Sequence, residues 1–98
     1  MKRRDNVHED LDNKLYNAIL LLKTPQECKD FFTDLCTPAE LEALGDRWEV
    51  AQLLAGNMPY RAISEKTGVS VTTVTRVARS LFHGNNGYKT ILERLGVL

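Results

Sequence analysis

The stretch ISEKTGVSVTTVTRVARSL (residues 63–81) contains two short amphipathic segments on either side of a tight Gly-Val-Ser break. Apolar residues recur every three or four positions in both segments, which is typical of helices and not of strands. Ser70 is a good N-cap for the second segment, and Gly68 occupies a position where a positive φ angle is expected. Two short helices joined by such a turn predict a helix-turn-helix motif.

The two faces of this predicted motif differ in chemistry. Ile63 and Val69 are predicted to face inward across the turn, and Val74 and Val77 to pack beneath the second helix. Thr67 departs from this pattern, because a larger apolar residue often holds its place. The outward face of the second helix is predicted to carry Val71, Thr72, Thr73, Thr75, Arg76 and Arg79.

This outward face suits a nucleic-acid partner. Threonine hydroxyls can bond phosphates or base edges, methyl groups can meet a thymine methyl, and arginine can fork onto guanine or phosphate. No acidic residue lies between Lys66 and Lys89, as suits a surface that approaches a polyanion. The features favour double-stranded DNA as the partner, but a solvated helical hairpin without a DNA role would show the same apolar pattern.

Composition and charge are those of one ordinary globular domain with an uneven charge distribution. The 98 residues have a net charge of 0 and are 43% apolar and 27% charged. Residues 1–55 carry seven basic and eleven acidic residues (net −4), and residues 56–98 carry six basic and two acidic residues (net +4). An acidic partner is therefore expected to meet the second half. No apolar run is long enough to cross a bilayer and no secretory signal is visible, so we expect a cytoplasmic protein.

Enzyme and metal chemistry are not indicated. Cys28 and Cys36 form no Cys-x-x-Cys motif, and His8 and His83 lack the spacing of metal ligands. No Ser/His/Asp arrangement, carboxylate pair or Gly-rich phosphate loop is readable. We therefore expect no enzyme activity, no metal and no resident cofactor.

Helical signals extend along the rest of the chain, which predicts an all-α fold. The predicted helices span roughly residues 7–23, 26–35, 38–55, 59–67, 71–82 and 88–95. The segments TPQE (24–27) and TPAE (37–40) each place a Thr N-cap before a Pro and a Glu, which predicts reciprocal capping of two helix starts. The first helix has an apolar face too broad for a single neighbour.

Arg47 has apolar neighbours at helical spacing, among them Leu44, Val50 and Ala51. An arginine on the apolar side of a helix is expected to be partly desolvated and to need a partner. A carboxylate in a structural ion pair, backbone carbonyls or a small ligand would each serve, and the sequence leaves these alternatives open.

Several segments of the chain resemble the Trp repressor family, and in particular its small bacterial relatives. The matching pieces are TPAE (37–40), ALGDR (43–47), LLAGNM (53–58), ISEKTGVSVTTVTR (63–76) and SL (80–81). The resemblance implies a six-helix, all-α subunit that interlocks with a second copy through its N-terminal helices. Such a homodimer would place its two recognition helices one turn of DNA apart over a palindromic site.

The resemblance also implies a function and a domain organisation. The expected protein is a sequence-specific double-stranded DNA-binding transcriptional regulator, and specifically a repressor; the alternative is a helical protein-interaction module without specific DNA binding. One domain, 1–98, would hold the dimerisation and core helices in 7–57, the helix-turn-helix in 58–82 and a C-terminal loop and helix in 83–98. The predicted DNA-contacting residues are Arg61, Ser64, Lys66, Ser70, Val71, Thr72, Thr73, Thr75, Arg76 and Arg79.

A small-molecule corepressor is a further implication of the resemblance. In the tryptophan-responsive member, the pocket beneath the recognition helix is lined by residues that look like Thr37, Arg47, Arg76 and Ser80 here. The chain departs from that member at Val77, where a glycine is usual, and its stretch from Arg47 to the end of the helix is one residue shorter. We therefore do not carry tryptophan over: an effector of unknown identity, or none, is expected.

Overall fold

A computed structural model of the chain describes residues 5–98, with side chains from residue 9 onward. This part of the chain consists of α-helices joined by turns and contains no strand. The helices are α1 (Asp5–Ile19), α2 (Pro25–Leu35), α3 (Pro38–Ala55), α4 (Tyr60–Thr67), α5 (Val71–His83) and α6 (Gly87–Arg94). The predicted all-α fold with six helices is therefore confirmed.

The helices form two compact units, one that ends at Pro38 and one that runs from Ala39 to Leu98. The first unit contains α1 and α2, and the second contains nearly all of α3 together with α4, α5 and α6. The division of one domain into residues 7–57, 58–82 and 83–98 stays a prediction.

The first helix ends earlier than the sequence pattern predicts. The helix ends at Ile19, and the amide of Leu20 makes the last bond to a carbonyl four residues back, that of Tyr16 (3.0 Å). The following two amides bond only three residues back, from Leu21 to Ala18 (3.0 Å) and from Leu22 to Ile19 (3.1 Å). A tightening of this kind is common where a helix ends. Pro25 prevents α1 from continuing into α2, because a residue before proline avoids the helical region. Thr24 is accordingly extended, with φ −136° and ψ 157°.

Thr24 caps α2 as predicted. Its hydroxyl accepts a hydrogen bond from the amide of Glu27 at 3.1 Å, and Pro25 occupies the first turn, where it loses no helical donor. The Glu27 carboxylate accepts from the amide of Lys23 at 2.8 Å. The predicted reciprocal bond from the Thr24 amide is thus replaced by one from the amide of the preceding residue, Lys23.

Apolar side chains of the first unit are exposed in the single chain. No residue from 9 to 38 is buried, and Leu20 and Leu21 are 80% and 74% exposed. Leu11, Tyr16 and Leu35 are exposed as well. So many exposed apolar groups mark a surface suited to a protein partner.

The core of the second unit lies beneath the helix-turn-helix. Its buried members are Val50, Ala51, Leu54, Ile63, Val69, Val74, Val77, Ala78, Leu81 and Leu92. Helix α5 packs against both α4 and α6, so it supplies the largest share of this core. Full burial of one such Ile or Leu side chain stabilises the fold by about 1.5–3 kcal/mol. The predicted inward positions of Ile63, Val69, Val74 and Val77 are confirmed.

Candidate nucleic-acid interface

Helix α4, the turn Gly68-Val69-Ser70 and helix α5 form the predicted helix-turn-helix. Gly68 has a φ of +78° and donates its amide to the carbonyl of Ser64 at 2.9 Å, which ends α4. Residues with a side chain rarely adopt this left-handed backbone conformation, so glycine is favoured at position 68. The sequence-based expectation of a positive φ at Gly68 is confirmed.

Ser70 starts α5 as predicted. Its hydroxyl accepts from the amide of Thr73 at 3.1 Å and donates to the hydroxyl of the same residue at 3.1 Å. The first bond satisfies one of the amides that a helix start leaves without a partner. The second engages the Thr73 hydroxyl within the protein, on a side chain that is half-buried.

The exposed face of α5 forms an open groove with basic and hydroxyl-bearing walls. Its lining residues are Val71, Thr72, Thr75, Arg76 and Arg79, which belong to the predicted DNA-contacting set. Neither Arg76 nor Arg79 forms a salt bridge with a carboxylate in the part of the chain whose side chains are described. Both guanidinium groups therefore keep their donors available to an external acceptor.

The remaining predicted contacts lie outside this groove. Arg61 and Lys66 are exposed on α4, whereas Ser64 is half-buried. Ser70 is exposed at the cap of α5. Thr73 lines a separate cavity together with Ala43, Asp46, Arg47, Val69 and Ser70, and this cavity adjoins α3 rather than the outward groove. The contact roles of all these residues stay predictions.

A second pocket lies on the other side of Arg76. It is lined by Arg47, Arg76, Val77, Ser80 and Tyr88 and has a volume of about 340 Å³. Three of the predicted effector-binding residues, Arg47, Arg76 and Ser80, meet in it. Thr37 belongs to the first unit, and its effector role stays a prediction.

Arg47 differs from its expected environment. The sequence predicts a partly desolvated arginine with a partner, but Arg47 is exposed in the single chain. Among residues 9–98 no ion pair or hydrogen bond engages its guanidinium. Of the apolar neighbours of Arg47 on α3, Val50 and Ala51 are fully buried in the core, while Leu44 is 45% exposed, and Arg47 itself opens onto the pocket. The structural ion pair is thus the alternative that the geometry does not support.

Tyr88 is a pocket residue that the sequence did not reveal. It lies in the first turn of α6, and its ring stacks on that of Trp48 from α3. Both rings also pack against the core of the second unit. No local sequence pattern predicts a contact between Trp48 and Tyr88, because they lie 40 residues apart in the chain. The contact follows from the packing of α6.

Metal and membrane features give no other candidate. Within the described residues, no group of three or more His, Cys, Asp and Glu side chains could hold a metal ion. None of the described helices is long and apolar enough to span a membrane.

The helix-turn-helix and the cationic groove on α5 are features of an all-α DNA-binding regulator. Residues 10–96 match the family described as Trp repressor protein. The chain therefore belongs to the Trp repressor family, a family of transcription regulators and not of enzymes.

Individual relatives agree with this assignment. The chain is 44% identical over 87 residues to the uncharacterised protein YerC of Bacillus subtilis (strain 168), which covers 89% of this chain and 83% of that protein. It is 35% identical over 75 residues to a Trp operon repressor homolog of Chlamydia caviae, with 76% and 74% covered. The crystal structure of a TrpR-like protein from Eubacterium eligens matches with a TM-score of 0.83 and 49% identity, covering 88% of this chain and 89% of that one.

Proposed function

We propose that the chain is a sequence-specific repressor that reads double-stranded DNA with the exposed face of α5. The observation that carries this proposal is the groove of Val71, Thr72, Thr75, Arg76 and Arg79, in which two arginines flank hydroxyl and methyl groups. Neither arginine pairs with a carboxylate among the side chains of residues 9–98. Such groups can match the hydrogen-bond pattern and the thymine methyl of the major groove. Such a regulator would work in the cytoplasm.

Phosphate contacts would come from the flanks of this reading face. Arg61 and Lys66 are exposed on α4, the helix that crosses the DNA backbone in helix-turn-helix proteins. Such contacts fix the orientation of the protein on the duplex but carry no sequence information. Ser64, Ser70 and Thr73 would support the contact surface from less exposed or already bonded positions.

A homodimer would be the active form. The exposed apolar side chains of α1, of α2 and of the turn that follows α1 supply a surface that a second copy can cover. Leu20 and Leu21, in that turn, are the most exposed of them. A chain of 98 residues also gains stability from oligomerisation, because its own core is small. Two copies related by a two-fold axis would read a palindrome whose half-sites lie about 34 Å apart.

Control by a small molecule would act through the pocket of Arg47, Arg76, Ser80 and Tyr88 behind the groove. Its two guanidinium groups favour a ligand with an anionic group. Val77 forms part of the pocket and is itself only 3% exposed, so the pocket floor is filled by an isopropyl group. The effector-binding role of Thr37 is part of the same proposal and rests on the resemblance alone.

The test is selection of binding sequences from a random duplex pool at near-physiological salt, with and without free tryptophan. We expect a palindromic sequence with half-sites about one helical turn apart. The variant Arg76→Ala should lose this preference, whereas Arg94→Ala removes the same charge from an exposed residue of α6 outside the groove and should retain it.

A pool without enrichment in either arm would contradict specific DNA binding by the free protein and by the protein with tryptophan, and would leave a different effector as the only route to specific binding. It would favour the alternative, a helical interaction module whose exposed apolar helices bind a protein. Enrichment with unchanged preference in Arg76→Ala would instead leave DNA binding in place and reject the assigned reading face.

A further inference from the structure

The side chain of Thr67 spans the turn of the helix-turn-helix by two hydrogen bonds. Its hydroxyl donates to the carbonyl of Ile63 at 2.8 Å, within α4. The same hydroxyl oxygen accepts from the amide of Val69 at 3.1 Å, within the turn. One oxygen atom therefore connects the last turn of α4 with the backbone that leads into α5.

The second bond gives the Val69 amide an acceptor that the backbone of the turn does not provide. The amide of Val69 lies beyond the end of α4 and before the cap of α5, so it belongs to neither helical ladder. Val69 is only 9% exposed and belongs to the core, which limits the access of water. An amide in such a position destabilises the fold when it has no acceptor.

We infer that Thr67 is a positioning residue that sets the orientation of the recognition helix α5 and hence its sequence preference. This inference rests on the proposed DNA-binding function but assigns a residue that lies outside the contact surface. Thr67 is half-buried and is not among the residues that line the groove. It acts through Val69 and Ser70, which directly precede the groove residues Val71 and Thr72.

The turn needs such a constraint because its other determinant is a glycine. Gly68 allows the left-handed conformation but also many others, so glycine alone does not fix the direction in which the chain leaves α4. The Thr67 hydroxyl selects one of these directions by holding the Val69 amide. An apolar residue at position 67 would fill the space without offering this acceptor.

Base readout depends on orientation more strongly than phosphate attraction does. A hydrogen bond to a base edge needs a donor–acceptor distance of about 2.7–3.2 Å and a nearly linear geometry. Attraction to the phosphates is largely electrostatic and independent of sequence. A recognition helix that loses its fixed orientation should therefore lose discrimination between sequences while it keeps its general affinity for DNA.

The experiment compares three variants for binding to the selected site and to an unrelated duplex at the same salt concentration. Thr67→Val keeps the shape of the side chain and removes the hydroxyl. Thr67→Ser keeps the hydroxyl. The matched control is Thr90→Val, because Thr90 also donates to a carbonyl four residues earlier, that of Asn86 at 2.8 Å, but in α6 and away from the turn.

We expect Thr67→Val to reduce the ratio of specific to non-specific affinity by about tenfold, the change that 1.4 kcal/mol produces. Its affinity for the unrelated duplex should stay within about twofold of the parent, because the charges are unchanged. Thr67→Ser and Thr90→Val should keep the parent ratio. Amide hydrogen exchange, measured without DNA, should show faster exchange at Val69 in Thr67→Val only.

Equal ratios for the parent and Thr67→Val would overturn this inference and leave the proposed function intact. A Thr67→Ser variant that behaves like Thr67→Val would also overturn it, because the hydroxyl would then not be the cause. A parent protein without any preference between the two duplexes would reject the proposed function and this inference together, whatever the exchange rate at Val69.

Discussion

The ring of Tyr88 stacks on the ring of Trp48, with centroids 6.3 Å apart and planes inclined by 17°. The two residues connect α6 to α3, and Tyr88 also forms one wall of the pocket that contains Arg47 and Arg76. Trp48 is the only tryptophan of the chain, so its fluorescence reports on this junction without interference from another indole.

Removal of the Tyr88 ring should destabilise the second unit. We expect Tyr88→Ala to lower the free energy of unfolding by at least the pairing contribution of about 0.5–1.5 kcal/mol, with lost burial in addition. Urea unfolding followed by Trp48 emission measures this change. Tyr88→Phe keeps the ring and should unfold close to the parent; equal destabilisation by both variants would mean that the hydroxyl and not the stacked ring matters.

The side chain at position 77 should control which ligand enters the pocket. Val77→Ala removes two methyl groups from the pocket floor, so we expect tryptophan to bind this variant more tightly than it binds the parent in isothermal titration calorimetry. Val74→Ala is the matched control, because Val74 is equally buried in α5 but does not line the pocket. Both variants lose stability through the cavity they create; a gain in tryptophan binding by both, or by neither, would show that residue 77 is not the selective element.

Removal of the proposed phosphate contact at Lys66 should change the salt dependence of DNA binding. Lys66→Gln should weaken binding to every duplex and reduce the slope of log K against log salt concentration by about 0.9, the value for one phosphate contact. Fluorescence anisotropy at several salt concentrations measures the slope. Arg94→Ala should leave the slope unchanged, and a similar reduction in both variants would indicate a general charge effect instead of a contact at Lys66.

Two glycines should respond in opposite directions to the same substitution. Gly68→Ala places a Cβ on a residue with φ +78°, so we expect a loss of about 1–2 kcal/mol in the free energy of unfolding. Gly45→Ala lies within α3, where a Cβ would meet nothing within 4 Å, so we expect a gain of about 0.5–1 kcal/mol. Chemical denaturation of the two variants tests this; a stabilised Gly68→Ala would be incompatible with the left-handed turn.

The proposed homodimer should make the unfolding of the protein depend on its concentration. If a second copy covers the exposed side chains of Leu20 and Leu21, the melting temperature should rise with protein concentration, because association stabilises the folded state. Sedimentation should give the mass of a dimer. A monomer mass with a melting temperature independent of concentration would exclude the homodimer.

Local physical chemistry explains why much of the fold could be predicted. The structure places as expected the inward apolar residues Ile63, Val69, Val74 and Val77, the glycine of the turn and the Ser70 cap. These features act within a few residues of one another. The sequence predicts that α3 ends at residue 55, and it does, but Asn57 and not the preceding Gly56 adopts the left-handed conformation. Asn tolerates this conformation, so composition alone could not distinguish the two.

The candidate site was less predictable because it depends on how helices dock. The half-buried position of Thr73 was available from spacing, since it lies four residues before the buried Val77 and shares its side of α5. The hydroxyl bridge of Thr67 also had a local signal, because a helical Thr can bond a carbonyl four residues back. By contrast, the contact of Tyr88 with Trp48 and the open environment of Arg47 follow only from the packing of α6 and α3.

Arg76 lines both the groove that faces outward and the pocket behind it. Its guanidinium has one set of donors, so every hydrogen bond that it makes to an occupant of the pocket changes what it offers at the outer surface. If both proposed sites are used, the two binding equilibria would be thermodynamically linked through a single side chain. By reciprocity, DNA would change the affinity for the occupant by the same factor as the occupant changes the affinity for DNA. The operator would then itself be an effector of the pocket.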